Sequence, residues 1–378
     1  MNTHTTAAPR LRGLQDALWT AVTGRDERAA AELLFAALDD GVDAESVLLD
    51  VIAPVQARVG AEWAANRLSV AQEHAASAIA ERIIAALAHR RSAARTTPRL
   101  GRVTVACVDQ EWHVLPARLL AEVLTLRGWQ VDFLGAQVPT PHLIAHLHTY
   151  GADVVALSSS IPTRLPAAHA AITACQAVGV PVLAGGAAFG PAGRYARRLG
   201  ADAWAPDARS AAHRIADGIE VPAIAVGRQQ IDDLPHLGDQ EYTLVVRSRP
   251  QLVREVLAQL ESRFPESAAY TEQQREHTAQ DISHIVEYLG VALYMDDDDL
   301  FTGFLTWTGG ILGARGVPAG SLRPVLDVLG TELKDFPRST RLIDQARTAL
   351  DALLAPAGHT SSGASDDRPD QPALLSDH

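Results

Sequence analysis

Three sets of side chains carry residue types and spacings that can do chemistry. The first is the run Asp109-Gln110-Glu111-Trp112-His113-Val114-Leu115-Pro116. An imidazole at His113 can coordinate a metal through one ring nitrogen, while Glu111 accepts the proton of the other and raises the ring's basicity. Taken alone such a triplet is weak evidence, because solvated surface histidines are commoner than ligands. The second set is Trp63 followed, after nine intervening residues, by Glu73-His74. On its own Trp63 reads as a core aromatic and Glu73 as a favourable charge at a helix start. The third is His277, Asp281, His284 and Tyr288, at spacings of four, three and four, which share one stripe of a helix. That stripe either lines a pocket or forms a partly exposed surface, and spacing alone favours the surface slightly.

The elements that must position these residues follow from periodicity. Residues 11–95 read as a small helical bundle, with Ala30, Leu33, Leu34, Ala37 and Leu38 on one stripe. Ser69 and Gln72 are spaced for a capping box ahead of the apolar run Ile79, Ile83, Ile84, Leu87, which puts Glu73 and His74 in the first turns of that helix. After a polar linker, Ser92 to Arg99, residues 100–220 alternate short apolar runs with helices. The expected strands are Val103 to Val108, Val131 to Leu134, Val154 to Leu157, Val180 to Ala184 and Ala201 to Ala205; the helices start near Pro116, Thr140, Leu165 and Pro191. Five βα units imply a parallel, doubly wound sheet of flavodoxin or Rossmann type, whose ligands bind over the carboxyl ends of the strands. His113 falls in such a loop.

Residues 221–239 form a linker with Pro222, Gly227, Pro235 and Gly238, and residues 240–355 again read as all helix. Opposite the His277 stripe runs an apolar one of Ile282, Ile285, Val286, Leu289 and Leu293. Phe301, Phe304 and Trp307 are spaced as core aromatics, and the acidic run Asp296 to Asp299 as a solvated turn. Residues 356–378, rich in Ser, Asp, Gly and Pro, read as a disordered tail. The chain of 378 residues is therefore multidomain, α and α/β.

Composition limits the partners. A formal charge of −12 argues against general attraction to nucleic acid or an anionic membrane. Two cysteines, Cys107 and Cys175, exclude a disulfide framework and Cys-based zinc spacing. The polar N-terminus and the absence of a long apolar run point to a soluble, cytoplasmic protein.

The Glu111-to-Pro116 passage resembles the D-x-H-x-x-G loop of cobalamin-binding domains. Leu157-Ser158-Ser159-Ser160 looks like the serine turn of that family, and Gly185-Gly186 like its paired glycines. The resemblance implies that His113 is the lower axial ligand of cobalt and displaces the dimethylbenzimidazole base, whose tail lies along Ser158, Ser160, Gly185 and Gly186. Two positions depart from the pattern: Glu111 stands for the usual Asp and Pro116 for the Gly. The Trp63, Glu73, His74 spacing is similar to the W-x9-E-H cap of CarH-type cobalamin photoreceptors. That likeness implies that Trp63 covers the upper corrin face while Glu73 and His74 meet the adenosyl group. The residue after the Trp is a histidine in the CarH type and Ala64 here, so a bis-histidine photoproduct by that route is not expected. The amino-terminal helix-turn-helix module of that type is not evident, and direct DNA binding is not expected.

With the C-terminal helical domain added, the architecture resembles the photocobilins, dual photoreceptors in which a globin-like domain holds biliverdin. The resemblance implies a bilin near His277, His284 and Tyr288, held without a thioether because no cysteine follows Cys175. The expected protein is a light sensor, not an enzyme, that binds adenosylcobalamin and biliverdin, assembles as a homo-oligomer and signals through assembly or a regulated partner protein. A corrinoid protein carrying methyl groups for a methyltransferase and a haem-based sensor are the alternatives.

Overall fold

The computed structural model describes residues 4–92, 100–219 and 234–355. The linker at 93–99, most of the connector at 221–239 and the tail at 356–378 lie outside the described residues. The chain divides near residue 227 into two compact units.

The first unit opens with α1 (His4–Thr23), α2 (Glu27–Asp39) and the single turn α3 (Ala44–Ser46). A π-helical segment, Val47–Ile52, then runs into α4 (Ala53–Ala64), and α5 (Val70–Ser92) follows. Leu18, Ala30, Leu34, Val51, Val55, Val59, Ile79, Ile83 and Ile84 are buried, which gives these helices an apolar interior. The capping box expected at Ser69 forms. The Gln72 side chain accepts the Ser69 backbone N–H at 2.9 Å, and Ser69 Oγ accepts the Gln72 N–H at 3.3 Å.

The sheet follows in order β1 (Arg102–Cys107), α6 (Leu115–Leu126), β2 (Gln130–Gly135), α7 (Thr140–Tyr150), β3 (Val154–Ser158), α8 (Leu165–Ala177), β4 (Val182–Gly185), α9 (Arg194–Arg198), β5 (Ala203–Ala205) and α10 (Ala208–Ala216). All pairings are parallel, in the spatial order β2-β1-β3-β4-β5. The chain therefore reverses direction across the sheet between β1 and β3, and the crevice over their carboxyl ends is where this topology places ligands. β1 and β3 are buried along almost their whole lengths, as central parallel strands must be.

Two boundaries differ from expectation for physical reasons. β4 begins at Val182 rather than Val180 because Pro181 has no N–H to donate; its carbonyl instead accepts from Val155 at 2.9 Å. The helix expected from Pro191 is delayed to Arg194, because Ala192 and Gly193 take left-handed φ values of 51° and 68°. A Cβ on Gly193 would meet the Trp204 ring at 2.3 Å. α10, which the periodicity reading missed, is started by Asp207, whose carboxylate accepts the Ser210 N–H at 2.7 Å.

The second unit is helical: α11 (Glu241–Arg263), α12 (Glu272–Met295), α13 (Asp298–Ala314), α14 (Leu322–Glu332) and α15 (Pro337–Leu354). The apolar stripe of α12 is buried as expected, as are Phe301 and Phe304 of α13. The acidic run does turn between helices, but its carboxylates are engaged rather than merely solvated. Asp297 caps α13, and Asp296 pairs with Arg338 and Arg341. No helix among the described residues is long and apolar enough to cross a membrane.

Candidate functional site

The carboxyl end of β1 releases the chain into a loop in which Gln110 takes φ 63° and Glu111 turns inward, completely buried. An ionised carboxylate survives there only with donors on every side. Oε1 accepts the His113 backbone N–H at 2.9 Å and Nδ1–H of the His113 ring at 2.7 Å. Oε2 accepts the N–H groups of Ser160 at 2.7 Å and Ile161 at 3.1 Å, and the Ser159 hydroxyl at 3.1 Å. Burial pushes the Glu111 carboxyl upward, but the His113 ring and the N–H groups of His113 and Ser160 outweigh it and hold it below the ordinary value. One side chain thus ties the loop after β1 to the loop after β3, across the point where the chain reverses.

With Nδ1 facing the carboxylate, Nε2 is the nitrogen through which the half-buried His113 ring can meet a metal. Pro116 is the second residue of α6 and exposed, so it starts the helix in a position where its missing N–H costs nothing. Trp112, between the two site residues, is 58% exposed.

The serine turn is buried at Ser158, Ser159 and Ser160. Gly186 sits directly against it with φ 101°, and a Cβ there would approach the Ser159 carbonyl oxygen to 2.2 Å. The need for glycine at Gly186 is therefore internal, the close approach of two loops. At Gly185 a Cβ would meet nothing closer than 3.6 Å. Both thiols of the sheet domain, Cys107 in β1 and Cys175 in α8, are buried and shifted up to about 12 by that burial. Neither is primed as a nucleophile.

Trp63, near the end of α4, is 2% exposed. Glu73 and His74 lie in the first turn and a half of α5, joined by a 2.6 Å contact from His74 Nδ1 to Glu73 Oε2. Glu73 Oε1 accepts from Ser77 at 2.8 Å. Ala64 is half-buried. The segment ahead of these helices, α3 and the π-helical turn, is fastened to the sheet domain by ion pairs that sequence reading did not find. Glu45 accepts from Arg127 at the end of α6 and from Arg209 in α10, and Arg209 also reaches Asp50 in the π-helical segment at 3.0 Å. Hydrogen bonding to Arg127 is the largest influence on the Glu45 carboxyl and holds it below its ordinary value against the opposing effect of burial.

In the second unit His277 is exposed, Asp281 and His284 are half-buried, and Tyr288 is buried with its ring stacked on Phe304 at 3.7 Å. His284 Nδ1 and Thr308 Oγ1 are buried without a hydrogen-bond partner. Burial raises the Asp281 carboxyl above its ordinary value, against the pull of His284, His277 and Arg315. Trp307 is half-buried.

A 2-1-3-4-5 parallel sheet with a carboxylate-held histidine at the β1/β3 crevice is compatible with a cobalamin-binding domain, and the family comparison identifies one. Residues 101–215 match the B12 binding domain, and residues 14–88 match a second model of the same description. The chain is a cobalamin-binding protein with similarity to CarH. It is 31% identical over 144 residues to the HTH-type transcriptional repressor CarH of Myxococcus xanthus, covering 37% of this chain and 46% of that protein. The chain thus spans about half the length of the curated relative it matches. Among solved structures, the monomethylamine corrinoid protein of Methanosarcina barkeri aligns with a TM-score of 0.45 at 20% identity, over 53% of this chain and 96% of that one. A cobalamin-binding protein from Desulfitobacterium hafniense aligns with a TM-score of 0.31 at 19% identity, over 55% and 98%. The residues fit the cofactor on chemical grounds: an imidazole oriented through Nδ1 by a buried carboxylate, beside a crevice whose loops are already held in place.

Proposed function

We propose that this protein is a light sensor that holds adenosylcobalamin with His113 as the lower cobalt ligand and with Trp63, Glu73 and His74 over the upper face. The observation that carries the reading is the His113 ring, fixed through Nδ1 by a buried carboxylate at the chain-reversal point of a B12-binding domain. When bound, the cofactor supplies a cobalt–carbon bond that light can break. The residues of this chain orient His113, exclude water from the lower face and shield the upper one.

Support for the upper-face assignment comes from reach. The π-helical segment and α4 carry the chain about 25 Å beyond Ser46. The turn ending at Ser46 is fastened through Glu45 to Arg127 at the far end of α6, itself about 18 Å long. That is length enough for Trp63 to return to the His113 end. Light would then act by changing how the α1–α5 helices sit on the sheet domain, with assembly or a partner protein as the readout. Such a change requires the two arrangements to bind the cofactor unequally.

For the second unit the reading is a bilin site, with biliverdin as the occupant and His277, His284 and Tyr288 along one side. Its specific support is the buried, unpartnered His284 Nδ1 and Thr308 Oγ1, polar atoms of the kind that a pyrrole N–H or lactam carbonyl satisfies.

The test is to mix the protein in darkness with adenosylcobalamin and biliverdin, separately and together, and to record absorption before and after green and red light. The expected result is an irreversible change in the cobalamin spectrum under green light, a red band only with biliverdin, and weaker cobalamin retention in His113→Ala. Cobalamin bound but unchanged by light would leave a methyl-carrying corrinoid protein. A sharp haem band in place of the bilin band would reassign the second unit. Failure to bind cobalamin would overturn the site itself.

A further inference from the structure

Arg164 closes the turn Pro162–Arg164, three residues beyond Ile161, whose N–H is held by Glu111. Its Nη1 reaches back to Gln110 Oε1 at 3.3 Å, so the residue forms a second bridge between the loops after β1 and β3. Its Nε is buried and has no hydrogen-bond partner. Among the described residues no ion pair involves this guanidinium, and the Glu111 carboxylate, which ties the same two loops, spends both oxygens elsewhere. Four arginine Nε atoms are buried in this way among the described residues, and Arg164 is the one that bridges the two loops of the candidate site, where a ligand could supply the missing acceptor.

We infer that Arg164 binds the phosphodiester of the cobalamin nucleotide loop. This rests on the cobalamin reading above and adds the group that recognises the cofactor's tail. The chemistry fits. Cobalamin carries one anionic phosphate in its nucleotide arm, and when an imidazole replaces the base on cobalt that arm must extend into the protein. A planar guanidinium presents a fixed fork of N–H groups that matches two phosphate oxygens, whereas a lysine ammonium acts as a point charge on a flexible stem. Arg164 would therefore set the preference for complete cobalamins over cobinamides, which have the same corrin ring but no nucleotide or phosphate.

The experiment measures dissociation constants for hydroxocobalamin and for diaquocobinamide with the full chain, Arg164→Met and Arg164→Lys, by spectral titration in darkness. Arg164→Met should lose about tenfold or more for the cobalamin and little for the cobinamide, as expected for a charge-assisted hydrogen bond. Arg164→Lys should fall between. Equal losses for both ligands would show that Arg164 only braces the Gln110 loop, and no loss for either would show that it faces solvent when the ligand is bound; both overturn the inference. A wild-type chain that binds neither corrinoid would instead overturn the cobalamin reading, so the two failures are distinct.

Discussion

Both oxygens of Glu111 are engaged in a place closed to water, and five donors depend on them. Glu111→Ala would strand three loop N–H groups, those of His113, Ser160 and Ile161, and release the His113 ring. We expect a loss of about 3 kcal/mol in urea unfolding and about 10- to 100-fold in cobalamin affinity, the usual scale for a residue behind a metal ligand. Glu111→Gln keeps one acceptor oxygen and should lose less of both; full cobalamin affinity in that variant would mean that the carboxylate charge does not tune the ring. Half of this arrangement is legible in the sequence. Glu111 and His113 are two residues apart, so their contact is local and can be read directly. The bonds to Ser159, Ser160 and Ile161 need β1 and β3 to be neighbours, which the order of residues does not state. Arg164 and Arg209 gave no signal for the same reason, since their partners are distant in the chain.

At the scale of elements, the strands and the capping box at Ser69 follow from short-range patterns and were readable. The fastening of α3 and the π-helical segment to α6 and α10 was not, because it joins charges between 82 and 164 positions apart. Its members are partly exposed, so the pairs should add little to global stability, about 1 kcal/mol or less each. Their effect belongs to local opening. Arg209→Met should leave the urea midpoint nearly unchanged while amide exchange quickens in α3, the π-helical segment and α4. If exchange there matches wild type, the apolar interface alone holds these helices and the ion pairs are incidental. If light acts through these helices, the same variant should also change the light-dependent readout while His113 and cobalamin affinity stay as they were.

At the scale of the molecule, the second unit is organised around the start of α15. The Glu241 carboxylate accepts the N–H groups of Arg338 and Ser339, and the Arg338 side chain spans Asp239, Asp296 and the carbonyls of His236 and Leu293. Burial opposes ionisation of Asp239 and Asp296, but their partners, Arg338 and Arg341 among them, hold both carboxyls below the ordinary value. A carboxyl lowered in the folded state adds stability that is complete above its unfolded value and disappears as pH falls through the folded one. The second unit should therefore resist mild acid. Arg338→Met should cost about 2 kcal/mol at neutral pH through the carbonyls left unpaired and should move the acid limb of unfolding to higher pH, as followed by circular dichroism against pH.

The two cysteines are both in the sheet domain, and the second unit contains none. With values near 12, only roughly one thiol in ten thousand is ionised at pH 8. A thiol-reactive dye therefore has almost nothing to attack until the domain opens. The chain carries a built-in gauge: the labelling rate reads the opening of the cobalamin-binding domain alone, in an intact protein, and its slowing on addition of a corrinoid would measure how firmly the ligand holds that domain shut.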